Sequence, residues 1–245
     1  MSKPYSKMIL GICAMGAAAL ALGCTSGCVS QLGAAPWPVL PATAGDVSAF
    51  KTATQAVREA FPPAYRATQR AIITVRGRQF VCDGLLTVSP GEGWHLALIS
   101  TLGLVADLAV KGDGSGKVLK VTPLFREAWA RQYVTQELRW LFVPPAELKP
   151  AGRQPGGRLV LETRSHLDGV TARYACSADG RHWEELEVWD GPRRLFRAKL
   201  SGYRSFSGWP RAVPAEIEVD AGRHQLHLRT AALNMATRSP AEGSR

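Results

Sequence analysis

The stretch Trp94 to Gly112, WHLALISTLGLVADLAVKG, constrains the fold more than any other part of the chain. Apolar residues alternate on both sides of a short break. Trp94, Leu96 and Leu98 share one face of an extended segment, and Leu104, Ala106, Leu108 and Val110 repeat the pattern after it. A period of two marks a half-buried strand, so the stretch reads as strand, turn, strand. The tip is unusual, because a turn faces water and is normally polar. Ser100-Thr101-Leu102-Gly103-Leu104 puts two leucines at or beside it, with Val105 next. Either the tip folds back under another element, or an apolar finger points outward to a lipid or a partner. Spacing alone favours the first.

The rest of the chain carries similar short runs. Ala71 to Arg76 leads through Gly77 into Phe80 to Val88, where Phe80, Cys82, Gly84, Leu86 and Val88 share a face. Strands follow over Lys117–Thr122, Arg158–Thr163, Val170–Ser177, Trp183–Trp189, Leu195–Gly202, Ala215–Val219 and His224–Arg229. Two helices interrupt them. Val47, Phe50, Thr54, Val57 and Phe61 form one apolar stripe on a helix capped by Asp46 and ended by Pro62-Pro63. Thr122-Pro123 opens a second helix, expected to run to about Phe142 with Phe125, Trp129, Tyr133, Leu138 and Leu141 as its apolar surface. Residues 143–157 read as a Pro/Gly-rich crossing loop. Sequential strands pair as neighbours. The expected fold is therefore β-rich α+β: a strongly curved antiparallel sheet whose concave face the two amphipathic segments cover. It would form a cup whose vacant apolar interior admits one long apolar ligand.

At 46% hydrophobic and 20% charged, the composition is ordinary for a globular domain. The formal charge is +10, but the basic residues are dispersed and make no stripe. That argues against nucleic acid as a partner, and for anionic head groups or an acidic protein.

The N-terminus sets the expected location. Lys3 and Lys7 precede an uncharged apolar run of sixteen residues, Met8 to Gly23. A membrane span needs about 20 residues, so the run reads as a cleaved signal peptide over 1–23. It ends in Ala21-Leu22-Gly23-Cys24, which resembles the bacterial lipobox. That resemblance implies a diacylated Cys24 at the mature N-terminus, with Cys28 as a second candidate. Thr25 follows instead of Asp, which by the same analogy implies outer-membrane sorting. Residues 24–42 form a flexible tether, 43–232 the folded domain and 233–245 a disordered tail. Cys82 and Cys176 sit in apolar strands and are expected as small buried thiols.

Chemistry is hard to find. His224 and His227 lie three apart in a strand, on opposite faces, so they cannot chelate one metal as a simple pair. HExxH, CxxC and GxSxG motifs are absent from the sequence. Gly112-Asp113-Gly114-Ser115-Gly116 misses the phosphate-loop spacing and reads as a turn. No cofactor, no metal and no enzymatic activity are expected. A scattered triad using His95, His182 or His224 is the exception that geometry would reveal.

Three segments carry a resemblance. Ala97 to Gly112 looks like a LolB hairpin whose loop reads Pro-Leu-Gly; here Thr101 stands in place of Pro. Ser177 to Trp183, SADGRHW, is similar to an Asn-Gly-x-x-Trp hairpin of the same family. Gly202 to Thr230 resembles its C-terminal strand pair, with a Pro-Ala-x-Ile-Glu core at Pro214 to Glu218. Together they resemble the LolA/LolB superfamily, and within it the LolB family of outer-membrane lipoprotein receptors. The resemblance implies an unclosed barrel with a helical lid, and a cavity that takes acyl chains of lipids or lipoproteins. It also implies a LolA-like periplasmic carrier as donor, and a monomer held to the outer membrane by its lipid, facing the periplasm. The protruding-loop leucine matches Leu102, with Leu104 beside it. The cavity candidates are Phe80, Leu86, Trp94, Leu96, Leu98, Trp129, Tyr133 and Trp140. The competing expectations are a structural or assembly lipoprotein whose cup its own side chains fill, and a lipid-modifying enzyme.

Overall fold

A computed structural model describes residues 36–89, 93–111, 116–121, 134–143, 145–164 and 169–235. Helix α1 (Val47–Arg58) comes first, entered through a short 3-10 turn at Ala44–Asp46. A five-stranded meander follows: β1 (Tyr65–Val75), β2 (Arg78–Ser89), β3 (Gly93–Ser100), β4 (Gly103–Val110) and β5 (Gly116–Val121). Helix α2 (Thr135–Phe142) leads to a second meander of β6 (Lys149–Arg153), β7 (Leu159–Arg164), β8 (Thr171–Cys176), β9 (Trp183–Asp190) and β10 (Arg193–Ser201). A two-residue ladder, β11 (Arg204–Ser205) with β12 (Ala212–Val213), precedes β13 (Glu216–Asp220) and β14 (His224–Met235).

Twelve strands make one antiparallel sheet in the order β5-β4-β3-β2-β1-β14-β13-β10-β9-β8-β7-β6. The last strand, β14, lies between β13 and β1 and welds the two meanders together. Among the described residues β5 and β6 are the two ends of the sheet, so the barrel is unclosed. A twisted sheet of this width curls, and the alternation along each strand decides which side is inside. On β1, Tyr65, Ala67, Gln69, Ala71 and Ile73 are buried, while Arg66, Thr68 and Arg70 are exposed. On β2, Cys82, Gly84 and Leu86 point in while Asp83 and Leu85 point out. Strand β9 is buried on both faces, because Glu185 and Glu187, opposite Leu186 and Val188, lie under Arg158, Arg194 and Arg197.

Helix α1 packs against β7, β8 and β9. Its buried face is Phe50, Ala53, Ala56 and Val57, so Phe50 and Val57 of the expected stripe are on it, Thr54 and Phe61 are partly buried, and the face is turned away from Val47. Val47 is 70% exposed. The reason is close approach. The turn at Gly180 comes so near the helix that a Cβ there would sit 2.5 Å from the Ala49 carbonyl oxygen, and the Cys176 Sγ lies 4.0 Å from the Ala53 carbonyl. Only a face centred on Ala53 allows this, and at 3.6 residues per turn Val47 points about 120° away from Ala53. Asp46 does not cap α1 through its side chain. Its carboxylate instead accepts from the Thr43 backbone N–H at 2.9 Å and pairs with Arg153 at 2.7 Å. The Arg153 bond and then Thr43 hold that carboxyl at about 2, below the usual carboxylate range.

Three boundaries differ from the sequence reading. The crossing loop contains β6, an edge strand in which Pro150 and a bulge before Gly152 are tolerated. Strand β14 continues to Met235 because β1 offers it partners as far as Tyr65. Part of the expected tether is docked: Leu40 exchanges backbone hydrogen bonds with Arg153 at 2.7 and 2.9 Å, and Trp37 faces Arg158. Only Thr135–Phe142 of the long second helix falls among the described residues, and Cys24, Phe125, Trp129, Tyr133 and the tail after Met235 lie outside them. Cys82 and Cys176 are free and buried, and burial pushes the Cys176 thiol up to about 12.

Gly180 has φ +74 and faces backbone on α1. Gly180→Val is expected to destabilise the fold by about 2 kcal/mol or more, from left-handed strain plus the clash. The chemical-denaturation midpoint measures it; an unchanged midpoint would mean that α1 does not sit this close.

Candidate functional site

The inner wall of the first meander and β14 is almost wholly apolar. Ala71 and Ile73 of β1, Leu86 of β2, Leu96 and Leu98 of β3, and Ala106 and Leu108 of β4 face Leu226 and Leu228 of β14. These positions come from the period-two pattern, and consecutive strands set them side by side. Val110 and Trp94 continue the same face and are buried beyond the cavity.

Helix α2 fills most of this concavity. Its Val134, Leu138 and Leu141 point into the cup and leave a cavity of about 50 Å³. That holds a few waters, and it falls well short of the roughly 300 Å³ at which small-molecule sites begin. The expected vacant interior is therefore corrected: the cup is apolar, and the chain's own helix occupies it. The amphipathic pattern that makes α2 a helix also explains this, since its apolar side has no better place to go.

Polar groups interrupt the apolar wall at two places. Gln69, buried on β1, donates from Nε2 to Thr230 Oγ1 at 3.3 Å. Glu137 of α2 meets His224, the first residue of β14, with Oε2 and Nε2 2.9 Å apart. Their side chains are only 10% and 4% exposed. A carboxylate can only accept, so Nε2 carries the hydrogen. One buried hydrogen bond thus links the helix to the sheet inside an otherwise greasy cup.

The β3–β4 hairpin has a second role. Its inner residues line the cavity, and its turn ends in Leu102, which is 91% exposed. The turn is tight. The Leu102 backbone N–H bonds to Ser100 Oγ at 3.1 Å, and Gly103 takes φ +109. The leucine therefore points outward and does not fold under another element. Leu104 is half-buried, and a register shift after Leu98 turns Val105 inward with Ala106. On the outer face of β2 and β3, Val81, Leu85 and Ile99 are exposed.

Of the other cavity candidates, Leu86, Leu96 and Leu98 line the cup. Phe80 is partly buried against the core, outside the lining. Trp140 lies on α2 but turns away from the cavity onto Phe196, ring centroids 5.3 Å apart. Trp129 and Tyr133 lie outside the described residues. Glu137, Gln69 and Gly84 were not singled out from the sequence. Gly84 did fall on the inward face, but a glycine leaves no side chain to draw attention. The pairing of Glu137 with His224, 87 residues apart, has no local signal.

The histidines do not assemble a triad among the described residues. His95 pairs with Asp107 on the exposed face. His224 lies in the cup. Ser177, Asp179 and His182 share the β8–β9 turn, but the Ser177 hydroxyl donates to Asp179 at 2.6 Å and accepts from the His182 backbone N–H. The His182 ring lies on Tyr203 instead. That is a turn motif and lacks the serine–imidazole bond that nucleophile activation needs.

The architecture is an unclosed antiparallel barrel with a helix in its mouth. No family model and no curated protein matches the chain. Solved structures do. It is similar to a LolA superfamily protein from Nitrosomonas europaea, at TM-score 0.58 and 10% identity over 78% of this chain and 95% of that one. It is also similar to an outer membrane lipoprotein-sorting protein domain from Vibrio parahaemolyticus, at TM-score 0.55 and 12% identity over 78% and 94%. A DUF1329 family protein from Desulfovibrio piger follows at TM-score 0.50 and 8% identity over 80% and 95%. At such identities the likeness establishes the fold, which is LolA-like.

Space at Gly84 tests the cavity. A Cβ there meets only Leu98 and Gln69 at 3.6–3.7 Å, ordinary contact distances. Gly84→Ala should stabilise the protein by about 0.4–1 kcal/mol, read as a raised thermal midpoint. A lowered midpoint would show the wall to be closed there.

Proposed function

We propose that this chain is an outer-membrane lipoprotein of LolB type. It accepts acyl chains of a lipid or lipoprotein into the cup and passes them to the bilayer. The observation that carries this reading is one hairpin with two ends. Leu96, Leu98, Ala106 and Leu108 line the cavity, and the same β3–β4 hairpin terminates in the exposed Leu102. The LolA-like fold supports it, and one neighbour of that fold is described as a lipoprotein-sorting domain. In this reading Cys24 carries the lipid anchor, the domain faces the periplasm as a monomer, and a LolA-like carrier is the donor. The protein needs no cofactor and performs no covalent chemistry.

Magnitudes favour an exchange between helix and ligand. Withdrawing Leu138, Leu141 and Phe142 of α2 from the core exposes side chains worth roughly 1.5–3 kcal/mol each. A sixteen-carbon chain entering the same space gains on the order of 12 kcal/mol, at about 0.8 per CH₂. The ligand can replace the helix without nucleotide hydrolysis. At the membrane, Leu102 supplies only one residue's worth of apolar contact. That is enough where a lipid anchor already holds the protein at the surface.

The narrow cavity favours a second reading, a structural lipoprotein whose cup stays permanently filled by α2. Native mass spectrometry of the purified protein separates the two. Co-purified acyl lipid supports the acceptor, and its absence together with failure to bind added palmitate supports the filled core.

Two variants follow from the first reading. Leu102→Glu should leave the melting temperature within about 1 °C, since an exposed side chain contributes little to stability, while abolishing transfer of acyl cargo into vesicles. Undiminished transfer would remove the finger's role. Cys24→Ser should lose radiolabelled palmitate in the producing cell and release the protein from the membrane fraction. Retained label would assign the anchor to Cys28.

A further inference from the structure

We propose that the ligand of the cup carries an anionic head group, and that His224 receives it in place of Glu137. This rests on the acyl-binding reading above and names the ligand class within it.

The argument starts from what α2 places in the cup. Val134, Leu138 and Leu141 are an apolar body, and Glu137 is a single carboxylate among them that binds His224 Nε2 at 2.9 Å. The helix thus has the chemistry of a long-chain carboxylate: hydrocarbon on the wall, one anionic oxygen on the imidazole. The two partners differ in what happens when α2 leaves. Glu137 departs with the helix and is solvated by water. His224 is the first residue of β14, paired with Val75 across the ladder, and its carbonyl accepts from the Ala221 N–H at 3.1 Å. It stays in the wall, beside Leu226 of its own strand and the apolar residues of β1. A buried donor that loses its acceptor is penalised unless another acceptor arrives.

An incoming amphiphile with an anionic oxygen restores that bond. A neutral chain of the same length fills the cup but brings at most a hydroxyl oxygen, a weaker acceptor for Nε2–H than the carboxylate of Glu137. The other polar lining group, Gln69, already donates to Thr230 and stays satisfied with either ligand. Discrimination therefore falls on His224. Carboxylate and phosphate head groups share the required chemistry, and the experiment separates them.

The test uses the full chain, freed of lipid, and three sixteen-carbon probes: palmitate, hexadecyl phosphate and hexadecanol. Dissociation constants are measured by isothermal titration for the wild type, His224→Leu and His224→Gln. At least one anionic probe should bind the wild type about tenfold tighter than hexadecanol, which corresponds to one charge-assisted bond. The tighter of the two identifies the head group. His224→Leu should erase the preference while keeping hexadecanol affinity, and His224→Gln, which retains a donor, should recover part of it. Should His224→Leu fail to fold, the comparison of wild type with His224→Gln still carries the result. Equal affinity for all three probes in the wild type overturns this proposal alone, as does a preference that survives in His224→Leu. Binding of none of the three overturns the acyl-chain reading and this proposal with it.

Discussion

The pairing of β1 with β14 is the interaction on which the rest of the molecule depends. It runs from Tyr65 opposite Met235 to Val75 opposite His224, with one irregularity at Thr68/Gln69. Each meander alone is a small sheet with an apolar face open to water. Joined along β1 and β14 they become one sheet wide enough to curl, and the curl gives an inside. The contacts that join them span most of the chain, so the last strand must find the first before the cup exists. Loop closure over that distance places the fold among slow, topology-limited ones.

Once the sheet curls, its inner face must be covered, and the two helices do so differently. Helix α1 is fastened by shape and charge: Ala53 against the Gly180 turn, Asp46 on Arg153, and Arg153 in turn on the Gly157 carbonyl. Two of those contacts, the Gly180 approach and the Gly157 carbonyl, involve backbone. Helix α2 is held by apolar side chains, the ring contacts of Phe142 with Phe61 and Trp140 with Phe196, and the Glu137–His224 pair. Every one of these is a side-chain interaction that a foreign molecule of suitable chemistry can imitate. The same fold thus contains two covers held by different kinds of contact.

Much of this was legible in the sequence, for reasons that differ from residue to residue. The strand faces were readable because Leu96, Leu98, Leu86 and Leu108 alternate strictly, and a one-residue slip would turn them all outward. The curved antiparallel sheet followed from sequential strands broken by one helical excursion, and the unclosed barrel from the resemblance. The exposed state of Leu102 was not decided by spacing, since an apolar turn residue is compatible with either side of the chain; the resemblance pointed outward, and in the structure the side chain is exposed. Three features could not be read. The face of α1 depends on how closely a turn from a distant hairpin approaches, and nothing near Val47 records that. Strand β6 hides behind prolines and glycines that an edge position tolerates. The Glu137–His224 pair is created by the fold, since neither residue has a sequence neighbour that calls for the other.

Among the described residues the sheet ends at β5 and at β6, where only the Leu40 bridge to Arg153 continues it, and these ends have a mechanical meaning. A closed barrel has a fixed girth, because widening it would break a ladder of backbone hydrogen bonds. Here β5 and β6 end the sheet, and α2 follows one and precedes the other in the chain. The lumen can therefore dilate by a change in twist, with every strand keeping its neighbour. The girth of such a sheet is elastic, and the space it encloses need not keep any single static dimension.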